Sequence, residues 1–458
     1  MTEIANELDY QKKVSSYPLY RFNKIIQQSG GQDLTISGGG GQVSIFELPT
    51  QCYNLAKSEL YFTLTPPAPG QAAGPQDLFN WAWKDNASPI SRIQLYTRGG
   101  LYLCDLPYVA NYTKVINKPE TAYDEYVNYD QGFQQVGGQD NGTIRFLRKN
   151  NALVDNVAFN PDYAQRHDNT PANQNYTEPQ YLESGVQGNA NRLPVLNICL
   201  PLSHLKNTIL ACDKDLFFGQ IMMLRVEWAA VNRIGFRSED PQDPTANTVQ
   251  AVGDYDVSNL ALYLAVEKNQ QIANSLMAKT QSGFSMLVPY VHGYKTNLNA
   301  GTASVSLRFN RGHGKNLLKI YHSVFNNVET QNTAYEDSNI AGAKITSYYT
   351  MLNNSRLQEF NVQIGNDVYD DYLIVKDDIQ GSVIQDSNVY RYNWFHVDNW
   401  SGIDLKDSQG AFNKDAGIGL NLEQKWDIYA ETAAQLNHYS FAVCQKMLTI
   451  TSAGVDFV

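Results

Sequence analysis

From residue 42 onward the apolar side chains recur at every second position, and this alternation limits what the chain can fold into more than any other feature. In "ELYFTLTPP" Leu60, Phe62 and Leu64 share one face before paired prolines end the run. A period of two is the mark of a half-buried β-strand. "QVSIFELP" likewise sets Val43 and Ile45 on one face. "IMMLRVEWA" (221–229) places Met222, Leu224, Val226 and Trp228 against Arg225 and Glu227, and "VSNLALYLAVEK" (257–268) lines up Leu260, Leu262, Leu264 and Val266. "RIQLYTRGGLYLCDLP" (92–107) reads as strand, Gly-Gly turn, strand. "RLPVLNICLPL" (192–202) is apolar on both faces, as a strand between two layers is. Up to residue 280, helical spacing is confined to short stretches at 105–118 and 270–280.

A second series of strand candidates comes after it, 284–298, 303–310, 316–327, 390–400, 423–431 and 438–450, and within it Val305, Leu307 and Phe309 face one way while Ser306 and Arg308 face the other. Within it, "YYTMLNNSRLQEFNV" (348–362) has two apolar runs around Asn353-Asn354-Ser355-Arg356, a hairpin turn in composition. Leu357, Phe360 and Ile364 also fit a helix, so the second arm has two readings. Residues 367–379 fit one short helix. Two stretches break the pattern with Asn, Asp, Gln, Gly and Pro, near 130–190 and near 398–419, and read as long polar loops. The expected organisation is an arm over 1–41, a first β unit over 42–268 holding the first loop, and a second over 284–458 holding the other. Each unit has the size of a two-sheet sandwich. The expected fold class is all-β: two consecutive eight-stranded jelly-roll β-sandwiches with a few short helices.

The arm is polar and ends in "SGGGG" (37–41), whose glycines would uncouple it from the first β unit. Its stretch "KKVSSYPLYRFNKII" mixes basic and aromatic residues. It would suit a membrane surface, a neighbouring subunit or the arm's own domain equally. The chain as a whole has a formal net charge of −11, which argues against a nucleic-acid-binding face, since that needs cations to replace phosphate counterions. With 29 tyrosines and only 18% charged residues, the polar surface leans on groups that also serve interfaces. The five cysteines (Cys52, Cys104, Cys199, Cys212 and Cys444) form no CxxC pair, and four sit among apolar neighbours. They read as small buried hydrophobes in a reducing compartment. The first residues show no apolar signal region, and no apolar run approaches a membrane span.

No motif for chemistry survives inspection. "FNRGHGKNL" (309–317) approximates a phosphate loop, but Phe309 stands at the first glycine position and Asn316 replaces Ser or Thr. It leads into a strand rather than a helix, so it reads as a hairpin turn. His167, His204, His292, His313, His322, His396 and His438 are scattered, without helical pairing. Asp370, Asp371, Asp377 and Asp378 lack the spacing and glycine of a calcium loop and read as a solvated face. Glu227, Glu359 and Glu423 could serve as paired carboxylates only if the fold brought two together. Trp81, Trp83, Trp394 and Trp400 could stack on sugars or fill cores and interfaces. No catalytic, cofactor-binding or metal-binding residue is assigned.

"SYYTMLNNSRLQEFNV", "NDVYDDYLIVKDDI", "YRYNWFHVDNWSG" and "LNHYSFAVCQKMLTITSAGVDFV" resemble the second half of double jelly-roll major capsid proteins, and "SRIQLYTRGGLYLCDLPYVANYT" and "LPVLNICLPLSHL" resemble the first half in layout. The resemblance is to the capsid proteins of virophages and polinton-like viruses, within the wider lineage of tailless membrane-containing phages and the adenovirus hexon. It implies a structural protein without enzymatic activity or cofactor: a homotrimeric, pseudo-hexagonal capsomer tiling an icosahedral shell. The implied partners are sister copies, neighbouring capsomers, penton and minor capsid proteins, and an inner membrane reached through the arm. The implied location is the virion, after synthesis in the host cytosol. The competing reading is a two-domain β-sandwich that binds or cleaves carbohydrate, such as a fibre or hydrolase. A minor capsid or vertex protein, usually with one roll per chain, fits two β units poorly.

Overall fold

A computed structural model describes residues 18–28, 31–65, 78–81, 89–113, 196–238, 254–298, 301–309, 316–326, 343–352, 355–356, 362–363, 395–399, 422–430 and 436–458. The first half contains strands β1 (Tyr20–Ile25), β2 (Leu34–Ile36), β3 (Val43–Leu48), β4 (Tyr53–Thr65), β5 (Leu78–Trp81), β6 (Ile90–Thr97), β7 (Tyr102–Pro107), β8 (Leu196–Pro201), β9 (Asp215–Leu216), β10 (Met222–Trp228), β11 (Gly235–Ser238) and β12 (Tyr255–Glu267). Helix α1 (Gln270–Ser282) leads to the second half. There the strands are β13 (Phe284–Leu298), β14 (Gly301–Phe309), β15 (Asn316–Asn326), β16 (Ala343–Leu352), β17 (Ser355–Arg356), β18 (Val362–Gln363), β19 (Phe395–Asn399), β20 (Leu422–Ala430), β21 (Leu436–Thr451) and β22 (Gly454–Phe457).

The two halves have one topology. In the first, β1-β12-β4-β8 form one sheet and β3-β10-β6-β7 the other; in the second, β13-β21-β15-β19 and β14-β20-β16-β17 do the same. Counted along the chain as strands one to eight, both halves read 1-8-3-6 and 2-7-4-5. This order, with every pairing antiparallel, is the wrapped hairpin of a jelly roll.

The alternation read from sequence places the first core correctly in most strands. Leu60, Phe62 and Leu64 on β4 and Leu260, Leu262, Leu264 and Val266 on β12 are buried. Met222, Leu224, Val226 and Trp228 on β10 face them from the other sheet, and Phe62 meets Trp228 edge to face at 5.0 Å. In β3 the inward face is the opposite of the expected one. Ser44, Phe46 and Leu48 are buried while Val43 and Ile45 are half-exposed. The reason is local: the Trp228 indole N–H donates to Ser44 Oγ at 2.9 Å, which satisfies both polar groups inside the core.

The arm boundary needs correction. Residues 20–36 are not outside the first sandwich; β1 and β2 pair with β12 along its length and form the roll's first strand. An edge strand faces water on one face and along one edge, so it tolerates Arg21, Asn23 and Lys24, which masked it in the sequence. Between β1 and β2 the chain reaches across to the other sheet, where the Gln28 N–H donates to the Ile45 carbonyl and its side chain to Glu47. The "SGGGG" run is not a free linker either. Gly41 N–H donates to the Trp228 carbonyl, Trp228 N–H to the Gln42 carbonyl, and Val231 N–H to the Gly38 carbonyl.

Three further readings change. Residues 105–107 end β7, and the helical turn is confined to 109–113 within the described part of 105–118. The phosphate-loop-like stretch 309–317 is not a hairpin, because β14 pairs with β20 in one sheet and β15 with β21 in the other. In 348–362, β16 turns back through only two residues, since Leu352 pairs with Ser355 and Met351 with Arg356. The strand reading holds at both ends of the return arm, where Val362 then pairs with Tyr348. The expected helix at 270–280 is α1, whose Asn269 side chain accepts the Gln271 N–H as N-cap. The stretches 130–190 and 367–379 lie outside the described residues, as does 398–419 apart from the end of β19.

Candidate functional site: the joint between the rolls and the loop-bearing end

The two rolls meet through a layer of aromatic side chains. Strand β7 ends at Pro107, and the following turn brings Tyr108 onto Tyr439 (5.3 Å, 71°) and Tyr112 onto Phe441 (5.1 Å, 70°). Tyr439 and Phe441 are two apart on β21 and stack nearly parallel, 8° between planes. Such aromatic pairs each contribute about 0.5–1.5 kcal/mol beyond the area they bury. Gly293 on β13 pairs with Phe441, and a Cβ there would stand 3.0 Å from Pro107 Cγ and 3.3 Å from the Phe441 ring. The Tyr112 hydroxyl donates to the Lys206 carbonyl at 2.7 Å, anchoring the joint to the first roll's interior. One continuous apolar core includes Leu103, Leu106, Val109 and Tyr112 from the first roll and Val291, Tyr439, Phe441 and Val443 from the second. The joint sets the orientation of one roll on the other.

The second feature is polarity between the ends of each roll. Successive strands run antiparallel, so connections alternate between ends. In the first roll one end has the short turns 49–52 and 98–101, plus 202–221. The other end has 26–42, 66–89, 108–195 and 229–254, and here β5 pairs with β11, tying two of the long connections together. In the second roll the corresponding positions are 299–300, 327–342, 357–394 and 431–435. The loop near 398–419 therefore is not the counterpart of 130–190. It joins the sixth and seventh strands at the short-turn end, whereas 130–190 joins the fifth and sixth.

Among the described residues, the two strand carboxylates considered for chemistry lie in different rolls. Glu227 lies on β10 in the first roll beside Arg225 (3.2 Å), whereas Glu423 lies on β20 in the second. Trp81 ends β5; Glu359, Trp83, Trp394, Trp400 and Asp370, Asp371, Asp377 and Asp378 lie outside the described residues. All five cysteines are thiols, none of them in a disulfide. Cys52, Cys104 and Cys444 are buried, while Cys199 and Cys212 are half-buried. Burial pushes the Cys52 thiol up to about 11 and the Cys199 and Cys444 thiols up to about 12, far from nucleophilic thiolates. Among the described residues no group of three or more His, Cys, Asp or Glu side chains is placed to hold a metal ion.

Sequence reasoning missed one pair. His322 on β15 and His438 on β21 are fully buried and stacked, 5.4 Å and 20° apart, with His322 Nδ1 3.1 Å from Ser440 Oγ. Burial alone lowers His438 to about 3, and among the described residues its Nε2 has no hydrogen-bond partner. Only the β15–β21 register brings the two together, and no spacing in the sequence announces it.

No protein-family model and no curated protein matches the chain. Among solved structures, the Faustovirus major capsid protein aligns over 95% of this chain and 91% of its own, at 9% identity and a TM-score of 0.51. The chain has the double jelly-roll fold. The mavirus major capsid protein (10% identity, 95% and 89% coverage, TM-score 0.47) and PBCV-1 VP54 (11%, 96% and 97%, 0.46) are also similar. In this double jelly-roll chain the alignment with the Faustovirus protein extends over both rolls and the joint, not one sandwich alone.

Proposed function

We propose that this chain is the major capsid protein of an icosahedral virus. It assembles as a homotrimer of pseudo-hexagonal outline, and the trimers tile the shell. The observation that supports this most is the doubling itself: two rolls of one topology, fixed on each other by an apolar joint, in a chain that aligns with the Faustovirus capsid protein over 95% of its length. Three such chains offer six similar sandwiches around one axis. The end with the long connections faces outward, and the short-turn end faces the interior of the particle. The net charge of −11 suits a soluble capsomer and disfavours direct contact with the genome. The role is structural rather than enzymatic. Penton and minor capsid proteins, and an inner membrane at the N-terminal segment, are the further partners this reading assigns; the virion is its location and the host cytosol its place of synthesis.

The test is the mass and outline of the purified protein. Light scattering is expected to give about 150 kDa, three chains of 51.4 kDa, and negative-stain images to show hexagonal outlines. A monomer retained on a glycan column would overturn the proposal in favour of a carbohydrate-binding protein.

A further inference from the structure

Three neighbouring strands of the second roll bring a histidine to nearly one level of their sheet. Strand β15 lies between β21 and β19. The register sets His322 on β15 directly across from His396 on β19 and, on the other side, from Ser440 on β21, two residues from His438. His322 and His438 are fully buried. His438 and Ser440 alternate along β21 with Tyr439 and Phe441, so they occupy the face turned away from the joint. Beside them Leu317, Ile320, Ala442 and Cys444 form a small apolar cluster of their own. A buried imidazole nitrogen without a polar partner is costly. Yet His438 Nε2 is buried here and has no such partner among the described residues.

The spacing of the pair suits a shared ligand. Two imidazoles on one tetrahedral metal ion, each bound at about 2.0–2.1 Å, hold their ring centres about 5 Å apart. The rings of His322 and His438 stand 5.4 Å apart. His322 Nδ1 lies 3.1 Å from Ser440 Oγ, the kind of contact that fixes a ligating histidine through one nitrogen and turns the other, Nε2, to the metal. Burial keeps the His438 ring neutral at neutral pH, the form that coordinates. We propose that the second roll binds a divalent transition-metal ion of the zinc class through Nε2 of His322 and His438, with His396, at the register position across from His322, as the third protein ligand. Imidazoles select such an ion over calcium or magnesium, which take oxygen ligands. All three histidines lie near the strand ends that carry the connections 327–342, 357–394 and 431–435. The ion therefore fastens three strands together at the loop-bearing end, and it does so whether or not the chain builds a shell.

The test strips the purified full chain with EDTA, adds zinc chloride and removes the excess by gel filtration. The parent is expected to retain one zinc ion per chain, counted by elemental mass spectrometry, and to melt at a higher temperature with zinc than without. X-ray absorption of the zinc-loaded parent is expected to show nitrogen neighbours at about 2.0–2.1 Å with the outer scattering of imidazole rings. These readouts use the unaltered chain, so they decide the matter even where a core substitution unfolds it. Among variants that keep the parent's far-UV spectrum, His322→Gln, His396→Gln and His438→Gln are each expected to lose the retained ion. Ser440→Ala is expected to bind zinc about 10–100-fold more weakly, as for loss of a group that positions a ligand. His204→Gln, in the first roll, is expected to bind as the parent does. A parent that retains no zinc, or holds it through oxygen alone, overturns the inference. So does unchanged retention in folded His438→Gln or His396→Gln, which would mark an adventitious ion only.

Discussion

Gly40 lies against the peptide joining Ala229 to Ala230: a Cβ on Gly40 would stand 2.5 Å from the Ala230 nitrogen and 2.6 Å from the Ala229 carbonyl carbon. Its φ of +75° is also one that side-chain-bearing residues rarely adopt. The obstacle is backbone, which cannot swing aside. Gly40→Ala is therefore expected to lower stability by about 2–4 kcal/mol, combining left-handed strain with a steric clash. A urea titration followed by tryptophan fluorescence checks this. A midpoint within error of the parent would mean that the turn has slack. Gly39→Ala, with nothing within 4 Å of its Cβ, is the control and should change little.

From Leu19 onward the N-terminal segment is fastened to the first roll. Leu19 N–H donates to Glu267 Oε1, Lys268 N–H to the Leu19 carbonyl, and the Tyr20 hydroxyl to Asp215 at 2.8 Å. Removing residues 1–40 deletes the first strand of the roll and bares the edge of β12. That truncation is expected to aggregate or to lose cooperative unfolding, as judged by calorimetry and light scattering. A soluble, cooperatively melting 41–458 chain would show that β1 and β2 are dispensable.

The joint is expected to make the rolls unfold together. Tyr439→Ala removes a buried ring that touches Tyr108 and stacks on Phe441, at a cost of about 3–5 kcal/mol for a large-to-small core change. The loss falls on the contact between rolls as well as within the second roll. Calorimetry is expected to show one transition in the parent and two in the variant. Gly293→Val should act in the same direction, because its Cβ meets Pro107 and Phe441. A single transition in both variants would place the coupling elsewhere.

Much of this architecture was legible because a buried strand face repeats every two residues, so Leu60, Phe62 and Leu64, or Met222 through Trp228, declare themselves. Legibility fails where a different physical rule governs. Ser44 is buried because a tryptophan N–H needs an acceptor, and alternation of apolar residues cannot register that. Tyr20–Ile25 is a strand because β12 offers it an edge, not because its own pattern demands one. The glycines at 38–41 look like a flexible linker, yet they bend to fit against Ala229. The joint was hidden for another reason. Tyr108 and Tyr439 are far apart in the chain, and tyrosines in a tyrosine-rich sequence do not reveal which ones meet. The capsid resemblance was carried by stretches such as 436–458, which β21 and β22 occupy, and by 366–379, which lies outside the described residues.

The buried His438 gives the second roll a defined acid sensitivity. Its ordinary value is 6.5, and in the fold, desolvation lowers it to about 3. Between these values the unfolded chain binds a proton that the folded chain refuses, so stability is greatest above about pH 6.5 and falls as the pH drops toward 3. The slope from this one group is about 1.4 kcal/mol per pH unit. Carboxylates and other histidines add their own slopes, so the informative quantity is a difference. His438→Gln keeps a polar side chain of similar reach but has no proton to gain. Urea unfolding at a series of pH values from 7 to 4 is expected to show a shallower loss of stability in the variant, with the two curves converging as the pH falls. Parallel curves would mean that His438 is protonated in the folded state or reaches solvent there.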